Sequence, residues 1–433
     1  MQVLYISQYY PPEACAPAAR VHGLAREWVR AGADVGVLTG FPNHPEGIVH
    51  AEYRKPWRRG WAREEREGVK VYRTWLYPAA NRKLWGRGAN FASFALSAAA
   101  AGVVVAPRQG VVIATSPQIL VGLSGWAVGT LRFLPWVFEV RDLWPESLAG
   151  VGQAGARSLL YRSVEYAAQF LYRNATHIVV DGEGKRRHLL NLGVEESRIS
   201  VIRSGIEEDF CPPPESAGAQ RARAQLRREL GLGDKYVLLY AGTLGMAHGL
   251  ETVLEAAQRL RECEGIEFVL VGAGAERAQL ARRIQELRLG NVRLVEKQPR
   301  EQIPAYLAAA DACLVPLRNR EVFKSAIPSK MFEAMAAGRP VILGVEGEAK
   351  EILLSSQAGL AVPPEDASAL VEVILRLRRD PALALALGRN GRQTVLEKYL
   401  RSAQAATYLN LLGALCARPQ PLPAPSPVAL PEI

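Results

Sequence analysis

The sequence predicts two doubly wound α/β domains built on parallel sheets, and three observations carry that prediction. Short apolar runs alternate with amphipathic helical stretches along most of the chain. Its 433 residues exceed what one ordinary core accommodates. A Pro-rich run, Cys211-Pro212-Pro213-Pro214-Glu215-Ser216-Ala217-Gly218, interrupts the alternation, and Tyr236-Val237-Leu238-Leu239-Tyr240-Ala241-Gly242 restarts it.

The first strand, Val3 to Ile6, runs into the loop Gln8 to Ala16, which holds Glu13 and Ala14-Cys15-Ala16. A helix over 18–31 is apolar at Val21, Leu24, Ala25 and Trp28 and stops at Gly32. The strand Asp34 to Thr39 completes a βαβ opening, which sets a parallel sheet. Phe41-Pro42-Asn43-His44-Pro45-Glu46-Gly47 has the composition of a turn. Residues 54–87 hold eleven Lys or Arg against three Glu, interleaved with Trp57, Trp61, Trp75 and Trp85. Such a stretch suits an anionic headgroup surface, single-stranded nucleic acid, or a solvated face with some Trp in the core. The apolar run Phe91 to Ala106 follows at once and favours the membrane surface over nucleic acid. At sixteen residues it is short for a span, so core helix plus strand is expected, with a surface-lying helix as the alternative.

Val111 to Thr115 is a buried-type strand ending Thr-Ser-Pro, followed by a helix over 118–133 and the strand Trp136 to Val140. The latter ends in Arg141-Asp142-Leu143-Trp144-Pro145-Glu146-Ser147. Charged residues just past an apolar strand lie at the carboxyl edge of a sheet, facing a crevice; an ion pair within a loop is the plainer reading. His177 to Val180, a helix over 185–192 and a strand over 198–206 bearing Ser204-Gly205 close the first half.

In the second half, Glu267 to Val271 ends Gly272-Ala273-Gly274. Position 277 is Arg, not the third Gly of a dinucleotide fingerprint, so NAD binding is not expected. Strands at 292–297 and 311–317 precede the most informative run, Lys324-Ser325-Ala326-Ile327-Pro328-Ser329-Lys330-Met331-Phe332-Glu333-Ala334-Met335-Ala336-Ala337-Gly338-Arg339-Pro340. Pro328 and Ser329 suit a helix start, with Ser as cap, and Gly338 and Pro340 its end. Lys330 falls in the first turn, where amides and dipole already favour anions, and Lys324 adds a second charge. Glu333 supplies a carboxylate for a pair of hydroxyls. Phosphate beside a diol is what a nucleotide ribose presents; two solvated surface residues are the bland alternative. Helices over 368–379, 383–400 and 402–415 end the ordered pattern. Six prolines in the fifteen residues from Pro419 predict disorder or polyproline II.

Ser329-Lys330-Met331-Phe332-Glu333-Ala334-Met335-Ala336-Ala337-Gly338-Arg339-Pro340-Val341-Ile342 resembles the donor-binding motif of family-4 glycosyltransferases. The preceding Ile327-Pro328 is similar to a branch of amino-sugar transferases of bacterial surface polysaccharides, the N-acetylfucosamine type. The resemblance spans about residues 1–412. It implies a GT-B fold: an acceptor domain at 1–210, linker and lead-in helix at 211–234, and a nucleotide-sugar domain at 235–400. A helix at 401–416 would cross back onto the first domain, with a disordered tail at 417–433. It further implies a retaining, metal-independent hexosyltransferase that takes a UDP-linked N-acetylamino sugar as substrate, needs no cofactor, and acts on a lipid-linked saccharide at the cytoplasmic membrane face.

Residue by residue, the resemblance puts Asp142 and Arg141 at the catalytic centre, where many relatives have His-Asp. It puts Lys324, Ser325, Lys330, Glu333, Ser204, Gly205, Gly242, Thr243 and His248 on the donor, and Glu13, Asn43 and His44 on the acceptor. Family members carry a second glutamate where Ser325 stands, and Arg and Lys where Thr243 and His248 stand. Lys324 and Lys330 are the substitutes for that missing charge, although His248 also reads as a plain loop histidine. The base is expected against Lys297-Gln298-Pro299.

A net charge of +10 calls for an anionic partner, and residues 1–200, with 24 basic and 16 acidic residues, hold +8 of it. Five scattered cysteines, dispersed histidines and no Asp-x-Asp give no zinc pattern, disulfide framework or metal motif, which fits a reducing cytosol. Met1-Gln2 leads straight into a strand, so no signal peptide is expected. The rival functions are a nucleotide-sugar 2-epimerase of the same fold and a non-catalytic nucleic-acid-binding protein using the basic half.

Overall fold

The computed structural model describes residues 1–13, 15–80, 84–146 and 158–417. Ala14, Arg82, Lys83, Ser147 and the Pro-rich tail from residue 418 lie outside them.

Two sheets form two α/β domains of GT-B type. The first contains β1 (Gln2–Ile6), β2 (Asp34–Gly40), β3 (Trp61–Arg66), β4 (Val69–Thr74), β5 (Val111–Thr115), β6 (Trp136–Val140), β7 (His177–Val180) and β8 (Ile199–Val201), in the order β3-β4-β2-β1-β5-β6-β7-β8. The second contains β9 (Tyr236–Ala241), β10 (Ile266–Val271), β11 (Val292–Val295), β12 (Ala312–Pro316), β13 (Val341–Gly344) and β14 (Gly359–Ala361), in the order β11-β10-β9-β12-β13-β14. The chain reverses direction across each sheet between β1 and β5 and between β9 and β12. The loops after those four strands therefore flank the crevices where ligands of such sheets collect.

The first sheet departs from the expected all-parallel form at one edge, where β3 runs antiparallel to β4. Both strands come from the basic stretch read as a surface, and the reason is local. Val69 and Val71 point into the core while Arg73, fully buried, pairs with Glu64 at 2.7 Å and donates to the Gly40 carbonyl at 3.0 Å. Its guanidinium lies 4.6 Å from the Tyr53 ring centroid. Lys70 pairs with Asp34 and Arg66 with Glu64. Part of the cationic set is thus structural, and Lys55, Arg58 and Arg59 remain exposed on the helix Arg54–Arg59.

The run expected as helix plus strand is one 22-residue helix, Leu84–Val105. No strand forms because the four alanines at 98–101, the strongest helix formers, carry the helix on through Gly102, and the next strand starts only at Val111. Phe94 and Ala98 are buried, whereas Trp85, Leu96 and Val104 are 79%, 74% and 82% exposed. The helix is long and apolar enough to cross a membrane by length and composition, and 28% of that window is buried.

The helix Arg401–Ala417 closes the opposite face of the first sheet by packing on Ala16–Arg30. Trp28 Nε1 donates to the Ala405 carbonyl at 3.0 Å, and Tyr408 meets the Trp28 ring edge-on at 5.3 Å. Between the domains, Ile206 and Leu400 form a parallel bridge, with Ile206 N–H donating to Tyr399 and Arg401 N–H to Ile206.

Candidate active site

The helix Ser329–Ala336 buries Met331, Phe332, Ala334 and Met335. Pro328, not Ser329, occupies its cap position, and no side chain caps it, so its first amides stay available. Gly338, at φ 64°, ends it in a left-handed turn. The buried face leaves Lys330 and Glu333 directed to the cleft, half-buried and three residues apart.

Lys330 Nζ donates to Tyr240 Oη at 2.9 Å, lies 3.5 Å from His248 Nδ1 and sits 4.4 Å from the Tyr240 ring centroid. Tyr240 Oη in turn donates to the Thr243 carbonyl at 2.6 Å. Burial brings the Lys330 ammonium down to about 7, against the upward pull of Glu333. Burial, then the Lys330 charge, holds His248 well below the usual imidazole range. His248 thus faces the lysine through Nδ1. Gly242 is required here: at φ 156° a Cβ would meet Lys330 Nζ at 3.0 Å. Gly272 and Gly274 are spent on packing against the 242–244 backbone, which gives that Gly-x-Gly a structural reason.

Glu333 Oε1 accepts from Arg300 Nη1 at 3.3 Å. Arg300 Nη2 donates to Glu207 Oε2 at 3.0 Å, and Glu207 Oε1 pairs with Arg401 Nε at 3.0 Å. Sequence reasoning missed Arg300 and Glu207. Their partners are distant in the chain, and the only signal was that Arg300 follows the turn assigned to the base. Lys324 does not join the cluster: its Nζ pairs with exposed Glu321 at 2.6 Å. Thr243 is exposed on the loop after β9.

Across the cleft, Arg141 and Asp142 follow β6, and both backbone amides donate to Ser116 Oγ, at 2.8 and 3.3 Å. Burial pushes the Asp142 carboxyl up, while Lys185 and Arg141 oppose it and Asp181 reinforces it. Asp181 and Lys185, a buried ion pair just after β7, are further groups the sequence reading passed over. Ser204 lies beside Arg20, whose guanidinium is locked onto buried Glu139 at 2.7 Å. Gly205 sits where a Cβ would strike Arg401 Cα at 2.6 Å.

On the acceptor side, Glu13 ties two loops together. Its Oε1 accepts from the amides of Asn43 and His44, both at 3.0 Å, and burial pushes it up to about 7. Asn43 is buried, with its amide directed to Phe41 and Asn90. His44 is half-buried against Tyr9, ring centroids 5.2 Å apart. Burial, then the charge of Lys297 from the other domain, lowers His44, so the expected base turn faces this loop.

One end of the cleft is closed. Ser325, where the resemblance calls for glutamate, leaves 3.0 Å between its Cβ and a Cβ built on Gly184. Glu348 accepts from the Gly184 amide at 2.9 Å and pairs with Arg203, spanning both domains. Among the described residues, no cluster of three His, Cys, Asp or Glu is arranged to hold a metal.

Residues 16–205 match the model described as Glycosyl transferase 4-like domain, and residues 222–394 that of Glycosyl transferases group 1. WcaI of Escherichia coli K12, described as a colanic acid biosynthesis glycosyl transferase, is 28% identical over 381 residues, covering 86% of this chain and 90% of its own. Among solved structures, sucrose-phosphate synthase of Thermosynechococcus elongatus superposes with a TM-score of 0.74 at 23% identity, covering 96% of this chain and 98% of its own. HepE of Anabaena, solved with UDP, superposes with a TM-score of 0.69 at 15% identity, covering 96% and 100%. These likenesses bear out the fold. They favour neither the epimerase nor the nucleic-acid-binding alternative.

Proposed function

As the chain belongs to the group 1 glycosyl transferases, with a glycosyl transferase 4-like first domain, we propose that it moves an N-acetylamino sugar from a UDP-linked donor to a lipid-linked saccharide during surface-polysaccharide assembly. WcaI, named for colanic acid biosynthesis, supports the polysaccharide setting, and UDP in HepE supports the base. The observation that carries the reading is Lys330 and Glu333 on one helix at the cleft, with no carboxylate among the described residues in contact with the ammonium.

The donor diphosphate would take the free amides of Ser329–Ala336 and the Lys330 ammonium, displacing the weak bond to His248. Lys324 can join it, since an exposed lysine–glutamate pair is worth about 0–1 kcal/mol. Glu333 would accept from the ribose hydroxyls. Asp142, half-buried beside Lys185, would orient the acceptor. In a front-face reaction with retention, the leaving phosphate takes the acceptor proton, so no protein nucleophile is required. A closed cleft limits donor hydrolysis.

The reading includes a cytoplasmic enzyme lying on an anionic membrane. Besides Trp85, Leu96 and Val104, the same domain exposes Leu131 at the end of the next helix, Phe133 in the left-handed position that follows it, and Tyr166 beyond, with basic residues at 54–63. Each Lys or Arg near such a surface adds about 1 kcal/mol.

The test is transfer from UDP-N-acetyl sugars to a lipid-linked saccharide, with product anomers read by NMR. Glu333→Ala and Lys330→Ala are expected to lose at least about a hundredfold in kcat/KM, near 2.7 kcal/mol. Transfer at wild-type rates by either variant overturns the assignment.

A further inference from the structure

We infer that Arg300 is a positioning residue for donor recognition: it holds one oxygen of Glu333 and turns the other toward the ribose hydroxyls. The inference rests on the donor-site reading above. Arg300 is the middle of a line of alternating charges, Arg401, Glu207, Arg300 and Glu333, reaching from the crossing helix to the donor helix. Its two terminal nitrogens serve different carboxylates, Nη2 on Glu207 at 3.0 Å and Nη1 on Glu333 at 3.3 Å. Its guanidinium carbon lies 4.7 Å from the Phe210 ring centroid. The planar fork is therefore fixed on three sides before any ligand arrives. Glu207 is fixed in turn by Arg401, whose side chain is 7% exposed.

Glu333 Oε2 accepts from no protein donor among the described residues. A glutamate loses rotamer freedom when it binds, and a group that freezes it in the free protein removes that penalty from binding. The Arg300 side chain is 34% exposed, and a pair so placed adds little to stability. Its geometry instead fits the orientation of a carboxylate toward a diol. Because Glu207 adjoins the Ile206–Leu400 bridge, that orientation is also set by the way the two domains meet.

The experiment is calorimetric binding of UDP and of 2′,3′-dideoxyuridine diphosphate to the full chain, with GDP and its dideoxy form replacing them if GDP binds more tightly. Wild type should prefer the ribose form by about tenfold or more, or ~1.4 kcal/mol. Arg300→Gln should lose most of that preference by weakening only the ribose form, with kcat at saturating donor within about threefold. Arg300→Lys should recover part of it. Glu207→Gln, which removes the anchor and leaves Arg300 in place, should erode the preference too, and it serves as the second variant if Arg300→Gln does not fold.

The inference is overturned if the folded variants keep the wild-type preference, or weaken both nucleotides equally as a structural role would. If Glu333→Gln abolishes the preference and Arg300→Gln keeps it, only this inference fails. If wild type binds neither nucleotide, or Glu333→Gln keeps the preference, the donor-site reading fails with it.

Discussion

Lys330 is the residue whose chemistry is most exposed to pH. Its ammonium, ordinarily near 10.5, is held at about 7 by burial. Between those values the unfolded chain binds a proton that the folded chain does not, so this residue makes stability rise with pH over that window. Donor binding works the other way, because a diphosphate requires the charged form. Above about pH 7 binding should take up a proton, visible as a dependence of binding enthalpy on buffer ionisation. Lys330→Arg should abolish that uptake. Glu13 gives a second signature. Raised from 4.5 to about 7, it makes folded stability fall as pH climbs through that interval. Glu13→Gln, which keeps an acceptor for the amides of Asn43 and His44, should flatten this slope in thermal unfolding measured from pH 4.5 to 7.5. Lys330 and Glu333 were legible because helix spacing alone puts them on neighbouring faces. Arg300 was not, because its carboxylate partners come from positions 207 and 333 and only the closed fold brings them together.

At the scale of elements, apolar periodicity gave most strands and helices to within a few residues, since each buries one face against a sheet. It failed where charge did the packing. β3 carries Arg63, Glu64, Glu65 and Arg66 on an edge strand, and Arg73 on β4 is buried against Glu64, so a core strand looked like a cationic surface. It failed again at Leu84–Val105, where composition does not distinguish a buried face from an exposed one. The segment joining the domains is tightly constrained: Gly205 lies against the Arg401 backbone. Gly205→Ala should destabilise the protein by about 1–3 kcal/mol through overpacking, read as a lowered midpoint in urea. Leu96→Asp with Val104→Asp changes only exposed positions. That pair should leave thermal stability near wild type while reducing flotation with phosphatidylglycerol vesicles; unchanged flotation removes the membrane from the proposal.

For the whole molecule, the two-domain plan could be read from the linker and the restarted pattern, because domain boundaries leave a compositional trace. How the domains meet could not. Glu348 reaches from the second domain to Arg203 and the Gly184 amide of the first, a contact between side chains over a hundred residues apart. Glu348→Gln weakens that clasp. We expect faster amide exchange at 182–186 and a larger radius of gyration in small-angle scattering, with the wild-type values restored by saturating donor.

The helix Arg401–Ala417 is synthesised after the whole second sheet, yet it completes the domain that precedes that sheet. Until it arrives, Tyr5, Trp28 and the valines around them have no cover on that side. The early domain must wait, partly finished and sticky, while roughly two hundred further residues are synthesised at about 5–20 per second. A nascent chain of this design therefore leaves that apolar face uncovered for some tens of seconds, and a stop codon near position 400 would strand it there.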